Sequence, residues 1–376
     1  MRQIGLLTPP NEVGRSNGID LLRGAFALYV LIFAHVSSWS VLAQGPDAVP
    51  AWFIAVCRRL VWLFQSRGEL NPAVLAFIVL SGFCIHRNGL RSAEGLRSFA
   101  VRRVFRILPV FWLASAVGIL MFYISSSVSP EKAMMLTGTT SISAVCVAAK
   151  LTAVASIVPF FHPCDFAGNA PLLTVMVEIG LYAFYGLVFL RGGETLAVRA
   201  CAVSVAIGII VAALSSRLPS IYNWWQNSSL LAFLPYWWIG AAVCVPRFRD
   251  AILRYPIYLL GAWIALTVST LFLDPTAISS EIRKLVLAAL IAWLILKLDT
   301  VKLPENPLTL IGRAGYSIYA LHAPIVVYLC LTGVPWWINA AIATGCGVLS
   351  FYAFENPIDR IGRHLAKSRR SPLQTV

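Results

Sequence analysis

Charge is what this chain has least of. Asp, Glu, Lys and Arg make up 12% of its 376 residues, whereas a soluble domain carries about 25%. Together with a hydrophobic fraction of 59% and a mean hydropathy of +0.77, that scarcity excludes an ordinary soluble enzyme. It leaves an all-α polytopic membrane protein whose partner along most of its length is the lipid bilayer. Acidic side chains are the rarer sign, 16 against 30 basic ones, for a net charge of +14. The basic surplus lies between apolar runs, where it sets topology, so it does not point to nucleic acid. Paired Cys-x-x-Cys or Cys/His ligand spacing is missing. Cys84, Cys201, Cys244, Cys330 and Cys346 lie inside apolar runs, where Cys behaves as a small hydrophobe. Neither a disulfide framework nor a metal site is expected. No internal repeat is visible, which withholds support from an inverted-repeat transporter. No cleavable leader is expected either, since mostly polar residues precede the first run and no small-residue cleavage site follows it.

What is present is a series of apolar runs. Ten read as spans, near 19–39, 70–86, 107–126, 171–190, 200–216, 229–246, 255–273, 283–298, 311–332 and 336–355. Two more are interrupted by charge: 51–64 by Arg58 and Arg59, and 141–161 by Lys150. The densest basic connection, with Arg87, Arg91, Arg97, Arg102, Arg103 and Arg106, should be cytoplasmic. With 141–161 left as a non-spanning helix, the other basic connections and the tail fall on that side too. The expected architecture is ten transmembrane helices with both termini cytoplasmic, in the inner (plasma) membrane. Residues 1–18 form a cytoplasmic N-terminal segment, 19–358 the membrane domain, and 359–376 a basic cytoplasmic tail.

The first run carries Arg23 near one end and His35 near the other, about 18 Å apart on an ideal helix. Ionisable side chains inside a span are costly and usually functional. A neutral imidazole in a membrane cavity can take a proton from a hydroxyl as a general base; the plain alternative is a histidine bonded to a neighbouring helix. Arg23 has the planar fork that grips phosphate or carboxylate, and alternatively anchors the helix at the interface. Arg103 and Arg106 are three apart and share a helical face. They suit a polyanion such as the phosphates of coenzyme A, or else they only set topology. Pro109 is expected near the first turn of the following span. Glu178 sits about seven residues into its helix, where it must be paired or line a cavity. It could charge-balance His35, bind an acceptor, or form a structural ion pair. His322 is expected roughly 17 Å along its helix, near the level of His35. His86 reads as interfacial, His162 as a loop histidine, and Glu355 as half of a structural salt bridge. Ser81 and Gly82 read as small residues that let helices approach.

Six motifs follow one another between residues 18 and 357. Gly18-Ile-Asp20-Leu-Leu-Arg23-Gly24 with His35 resembles the opening of the acyltransferase-3 family of integral-membrane acyltransferases. Phe77-Ile-Val-Leu-Ser81-Gly82-Phe83-Cys-Ile85 is similar to its F-x-V-L-S-G-F-x-I. Arg103-Val-Phe-Arg106-Ile-Leu-Pro109, Asn169-Ala-Pro171 through Glu178, Tyr316-Ser317-Ile-Tyr319-Ala-Leu-His322-Ala-Pro324 and Phe354-Glu355-Asn-Pro357 resemble the remaining four. The resemblance implies ten helices and transfer of an acyl group, commonly acetyl from cytoplasmic acetyl-CoA, to a hydroxyl of a glycan or other envelope acceptor. No permanently bound cofactor is implied; acyl-CoA is a co-substrate. His35 would be the catalytic base with Glu178 beside it in the catalytic set. Arg23, Arg103 and Arg106 would bind the donor, and Ser81, Tyr319 and His322 would line the cavity or touch acceptor.

The chain departs from that pattern in places. Eleven residues separate Arg23 from His35 where the family pattern has ten. On an α-helix i and i+11 lie about 20° apart, but i and i+12 about 120°. Either the two residues do not share a face or a π-bulge absorbs the extra one. Leu173 and Met176 replace the aromatic and the serine before Glu178. No hydrolase-like domain is expected after the last helix. Direct attack on the thioester and a covalent acyl-enzyme are both compatible with these residues. A transporter or flippase for a polar or lipid-linked solute is the rival from another class, and an inactive membrane scaffold is a third.

Overall fold

A computed structural model describes residues 16–64, 71–92, 95–138, 141–144, 147–148, 169–186, 193–228, 230–274 and 276–367. His162 and most of the run 141–161 lie outside these residues. Among the described residues the chain is helical, with no strand. In chain order the elements are α1 (Asn17–Gln44), α2 (Ala51–Phe64), α3 (Pro72–Ser92), α4 (Leu96–Val128), α5 (Pro130–Thr137), α6 (Leu172–Phe184), α7 (Gly193–Ala213), α8 (Pro219–Ser228), α9 (Leu230–Ala242), α10 (Pro246–Arg254), α11 (Pro256–Ser269), α12 (Ala277–Thr300), α13 (Pro307–Arg313), α14 (Gly315–Leu331), α15 (Trp336–Ser350) and α16 (Asn356–Lys367).

Each of the ten expected apolar runs contains helix among its described residues. By length and composition α1, α4, residues Leu196–Ala213 of α7, and Trp336–Ala366 can each cross a bilayer. Two bent pairs, α9 with α10 at 93° and α13 with α14 at 80°, raise the number from four to six when each counts as one span. Three further apolar helices, Pro72–Arg87, Leu172–Phe184 and Pro256–Ser269, are shorter. α12 carries Glu281, Arg283 and Lys284 in its first third, all buried.

Several local expectations change. The basic connection between the second and third runs is mostly helical, because α3 continues to Ser92 and α4 begins at Leu96. Pro109 therefore lies well inside α4 and not in its first turn. The bend between α13 and α14 places His322 seven residues into α14, about 10 Å from its start. His86 is buried, with Nδ1 3.0 Å from the Tyr185 hydroxyl.

Small residues bring the helices together. A Cβ on Gly82 of α3 would stand 1.9 Å from the Trp237 carbonyl oxygen of α9, and one on Gly240 would stand 2.0 Å from that of Val79. The two helices thus cross backbone to backbone, which is how spans associate where lipid removes the hydrophobic drive. Gly24 of α1 and Gly312 of α13 do the same, with would-be Cβ atoms 2.2 Å from the Leu308 oxygen and 1.7 Å from the Asp20 oxygen.

The interrupted run 51–64 forms α2, a helix on the flank of the bundle. Phe53 stacks between Phe33 and Trp336 at its start, and Phe64 stacks on Trp263 at its end. Trp52, Arg58 and Arg59 are exposed. Arg283 of α12 donates to the Trp62 and Leu63 carbonyls at 3.3 and 2.9 Å, closing the carbonyl end of α2 with a cation.

Candidate active site

The extra residue between Arg23 and His35 has a visible resolution. Tyr29–Val36 of α1 is wound as π-helix, and His35 lies in it. A π turn holds one residue more than an α turn, so one such turn lets i+12 behave as i+11, about 20° off instead of 120°. Both residues face α14. The Arg23 Cβ lies 3.8 Å from where a Gly315 Cβ would be, and His35 meets His322, seven residues along the same helix.

His35 and His322 form an imidazole pair, with Nδ1 of His35 2.6 Å from Nε2 of His322. Their planes differ by 16° and their centroids are 4.9 Å apart. With so short an N···N distance the rings meet edge to edge rather than face to face. The protons follow from the partners. His322 Nδ1 lies 3.1 Å from the Ile318 carbonyl and 2.9 Å from that of Tyr319. A carbonyl only accepts, so Nδ1 of His322 carries the hydrogen and, in the neutral ring, Nε2 is bare. That bare nitrogen accepts from Nδ1–H of His35, which leaves the lone pair of His35 on Nε2. His322 is buried and His35 half-buried. Trp39 covers one face of the His35 ring at 4.4 Å and 6°.

The three arginines gather at the other end of the same helices. Arg23 bonds Asp20 at 3.3 Å and reaches the Cys84 sulfur at 3.2 Å. Arg106 interacts electrostatically with Asp359, Glu355, Tyr182 and Cys84. Arg103 stacks over Phe99 and Tyr182 at 5.6 and 5.5 Å. Cys84 and Tyr182 thus tie the arginines into one group. α16 contributes Asp359, and a second π turn, Phe351–Glu355, ends on Glu355. Glu355 accepts from the Ser317 hydroxyl at 2.6 Å and interacts electrostatically with Arg106.

Glu178 belongs to this lower group. It accepts a hydrogen bond from Tyr182, while His322 is the residue that meets His35. Ser81 donates to the Tyr182 hydroxyl at 3.0 Å and accepts from Trp237 Nε1 at 3.3 Å. The result is a chain of donors from Trp237 through Ser81 and Tyr182 to Glu178. With one lone pair engaged by an indole and its proton given to a phenol, Ser81 is held as a link in that chain. Tyr319 stands between the two groups, its hydroxyl 3.1 Å from Thr174 and its ring 5.9 Å from that of His322. α14 is therefore a rail: Tyr316, Ser317, Tyr319 and His322 lead from the arginine group to the imidazole pair.

Sequence reasoning missed Tyr182, Trp237 and Trp39. Each is an aromatic in an apolar run, and only the fold reveals its polar edge at work. Tyr182 lies four residues after Glu178, the spacing of one helical face, which was the available signal.

A helical bundle with apolar spans and buried ionisable groups defines a multi-pass membrane protein. The family model of the acyltransferase domain, acyltransferase-3, matches residues 16–354, and the chain belongs to that family. It is in general terms a membrane acyltransferase. No curated protein and no solved structure gives a match.

Proposed function

We propose that this protein moves an acyl group, acetyl in the simplest case, from acyl-CoA to a hydroxyl of a glycan or other envelope acceptor. The observation that carries the reading is the imidazole pair, which leaves a lone pair on His35 Nε2 and no protein donor facing it among the described residues. Nε2 takes the proton of the acceptor hydroxyl as its oxygen attacks the thioester carbonyl. The tetrahedral intermediate collapses, the C–S bond breaks, and the imidazolium returns the proton to the leaving thiolate. Products are the O-acyl ester and free CoA. His322 keeps His35 in the productive tautomer, as an acceptor behind a catalytic histidine does elsewhere.

Arg103, Arg106 and Arg23 receive the phosphates of acyl-CoA, and the pantetheine arm runs along α14 past Tyr319 towards His35. This reading places the arginine end in the cytoplasm with both termini, and all ten apolar helices across the inner membrane. The excess of basic residues at that end supports the orientation. No permanently bound cofactor enters the scheme.

The test is acyl transfer by the purified protein in proteoliposomes. Labelled acetyl-CoA should give CoA release and labelled, base-labile ester in an envelope extract, both lost in His35→Ala. Solute movement without thioester cleavage would overturn the reading in favour of a transporter.

A further inference from the structure

α14 contains Pro324 in its interior. Proline has no N–H, so the carbonyl of Ala320, four residues back, loses its ladder partner. Ala320 is fully buried, and an oxygen left unpaired there would forfeit its hydration without compensation. Asn169 supplies the missing donor from outside the helix. Its Nδ2 is 2.8 Å from the Ala320 oxygen and 3.4 Å from the Ala114 oxygen of α4. Both neighbours are acceptors, which fixes the amide with its NH2 towards them. Asn169 is fully buried, and its Oδ1 has no partner among the described residues. The side chain is thus placed for its two donations alone.

The splice falls beside the imidazole pair. His322 lies two residues after Ala320 and two before Pro324, and its Nδ1 bonds the carbonyls of the turn just before the break. We propose that Asn169 is a positioning residue for this pair. By taking over the Ala320 carbonyl it sets how the α14 backbone passes Pro324, and so where His322 Nε2 stands against His35. The inference rests on the reading of His35 as the base and adds a residue from the approach to α6 to its support.

The experiment reads tautomers and turnover separately. In protein with 15N-labelled histidine, the His35 and His322 signals are assigned with His35→Gln and His322→Gln. Wild type should show both rings protonated at Nδ1. Asn169→Ala should populate the Nε2–H tautomer of His35 and lower kcat roughly 10- to 100-fold, as small misplacements do, with KM for acyl-CoA unchanged. Pro324→Ala returns an N–H to position 324. In that background Asn169→Ala should change neither the tautomers nor, beyond about threefold, kcat, a coupling that a simple packing role would not produce. If Asn169→Ala does not assemble in membranes, assembly of the Asn169→Ala/Pro324→Ala protein supports the proposal, and failure of both overturns it. Wild-type tautomers in Asn169→Ala, or equal losses in both backgrounds, overturn it as well. A tautomer shift in a protein that transfers no acyl group upholds the positioning and sinks only the assignment of His35 as base.

Discussion

Deleting the His322 ring separates a supported base from a lone one. In His322→Ala, Nδ1–H of His35 loses an acceptor 2.6 Å away. A buried donor without a partner costs about 1–3 kcal/mol. His35 escapes that cost by carrying its proton on Nε2, the atom that must receive the acceptor proton. At about 1.4 kcal/mol per tenfold, the competent tautomer is depleted roughly 5- to 150-fold, and kcat should fall by that factor while KM for acyl-CoA holds. His35→Ala removes the base and should cost about 10²–10⁴-fold. Since His322 acts through His35, the double variant should be no slower than His35→Ala alone. His322→Gln, which offers an amide oxygen to the same N–H, should recover part of the loss. The assay is CoA release and ester formation in proteoliposomes, normalised to folded protein by thermal unfolding in detergent. Wild-type turnover should also decline as pH falls, because a protonated His35 has no lone pair for the hydroxyl proton. Independent, multiplicative losses in the double variant would refute the pairing argument. So would a folded His35→Ala protein that keeps more than about a tenth of wild-type turnover.

Arg103→Ala and Arg106→Ala should raise the apparent KM for acyl-CoA more than they lower kcat, with lysine restoring only part, since a point charge replaces a fork; unchanged donor affinity would reduce these residues to topology. Gly240→Val should lower the thermal midpoint of the solubilised protein or abolish accumulation, because even its Cβ would meet the Val79 oxygen at 2.0 Å; an unshifted midpoint would contradict the close crossing of α3 and α9. A cysteine introduced at Gly95 should react with an impermeant maleimide only from the cytoplasmic side, and one at Gly138 only from the other; labelling of both from one side would remove the ten-span orientation.

The sequence carried the helical architecture well and the site unevenly. Apolar runs long enough for a bilayer admit little but helix, and each of the ten runs contains helix among its described residues, four to six of the helices being long and apolar enough to span. The odd spacing between Arg23 and His35 was itself a structural signal, and the π turn at Tyr29–Val36 answers it. That His35 meets His322 was not legible. It depends on the 80° bend before Gly315, which periodicity does not report. For Glu178 the sequence left several partners open, because depth along a helix says nothing about which way the helix turns; the structure supplies Tyr182. The buried Glu281 and Lys284 escaped notice for a similar reason. Charges at the head of an apolar run look solvated, yet Lys284 pairs with Glu281 at 2.7 Å and Tyr236 donates to Glu281 at 2.6 Å.

Arg283 imposes an order on the making of this protein. The residue is 2% exposed, and its guanidinium closes a helix end more than two hundred residues earlier in the chain. During synthesis the last carbonyls of α2 are therefore without this donor until α12 arrives. Conversely, until α2 is in place this cation lacks two of its acceptors, although the Thr267 hydroxyl of α11 already holds it at 3.2 Å. Insertion of the first half of the chain is thus provisional. A ribosome-bound chain truncated before Arg283 should hold α2 loosely, within reach of proteases that spare the finished molecule.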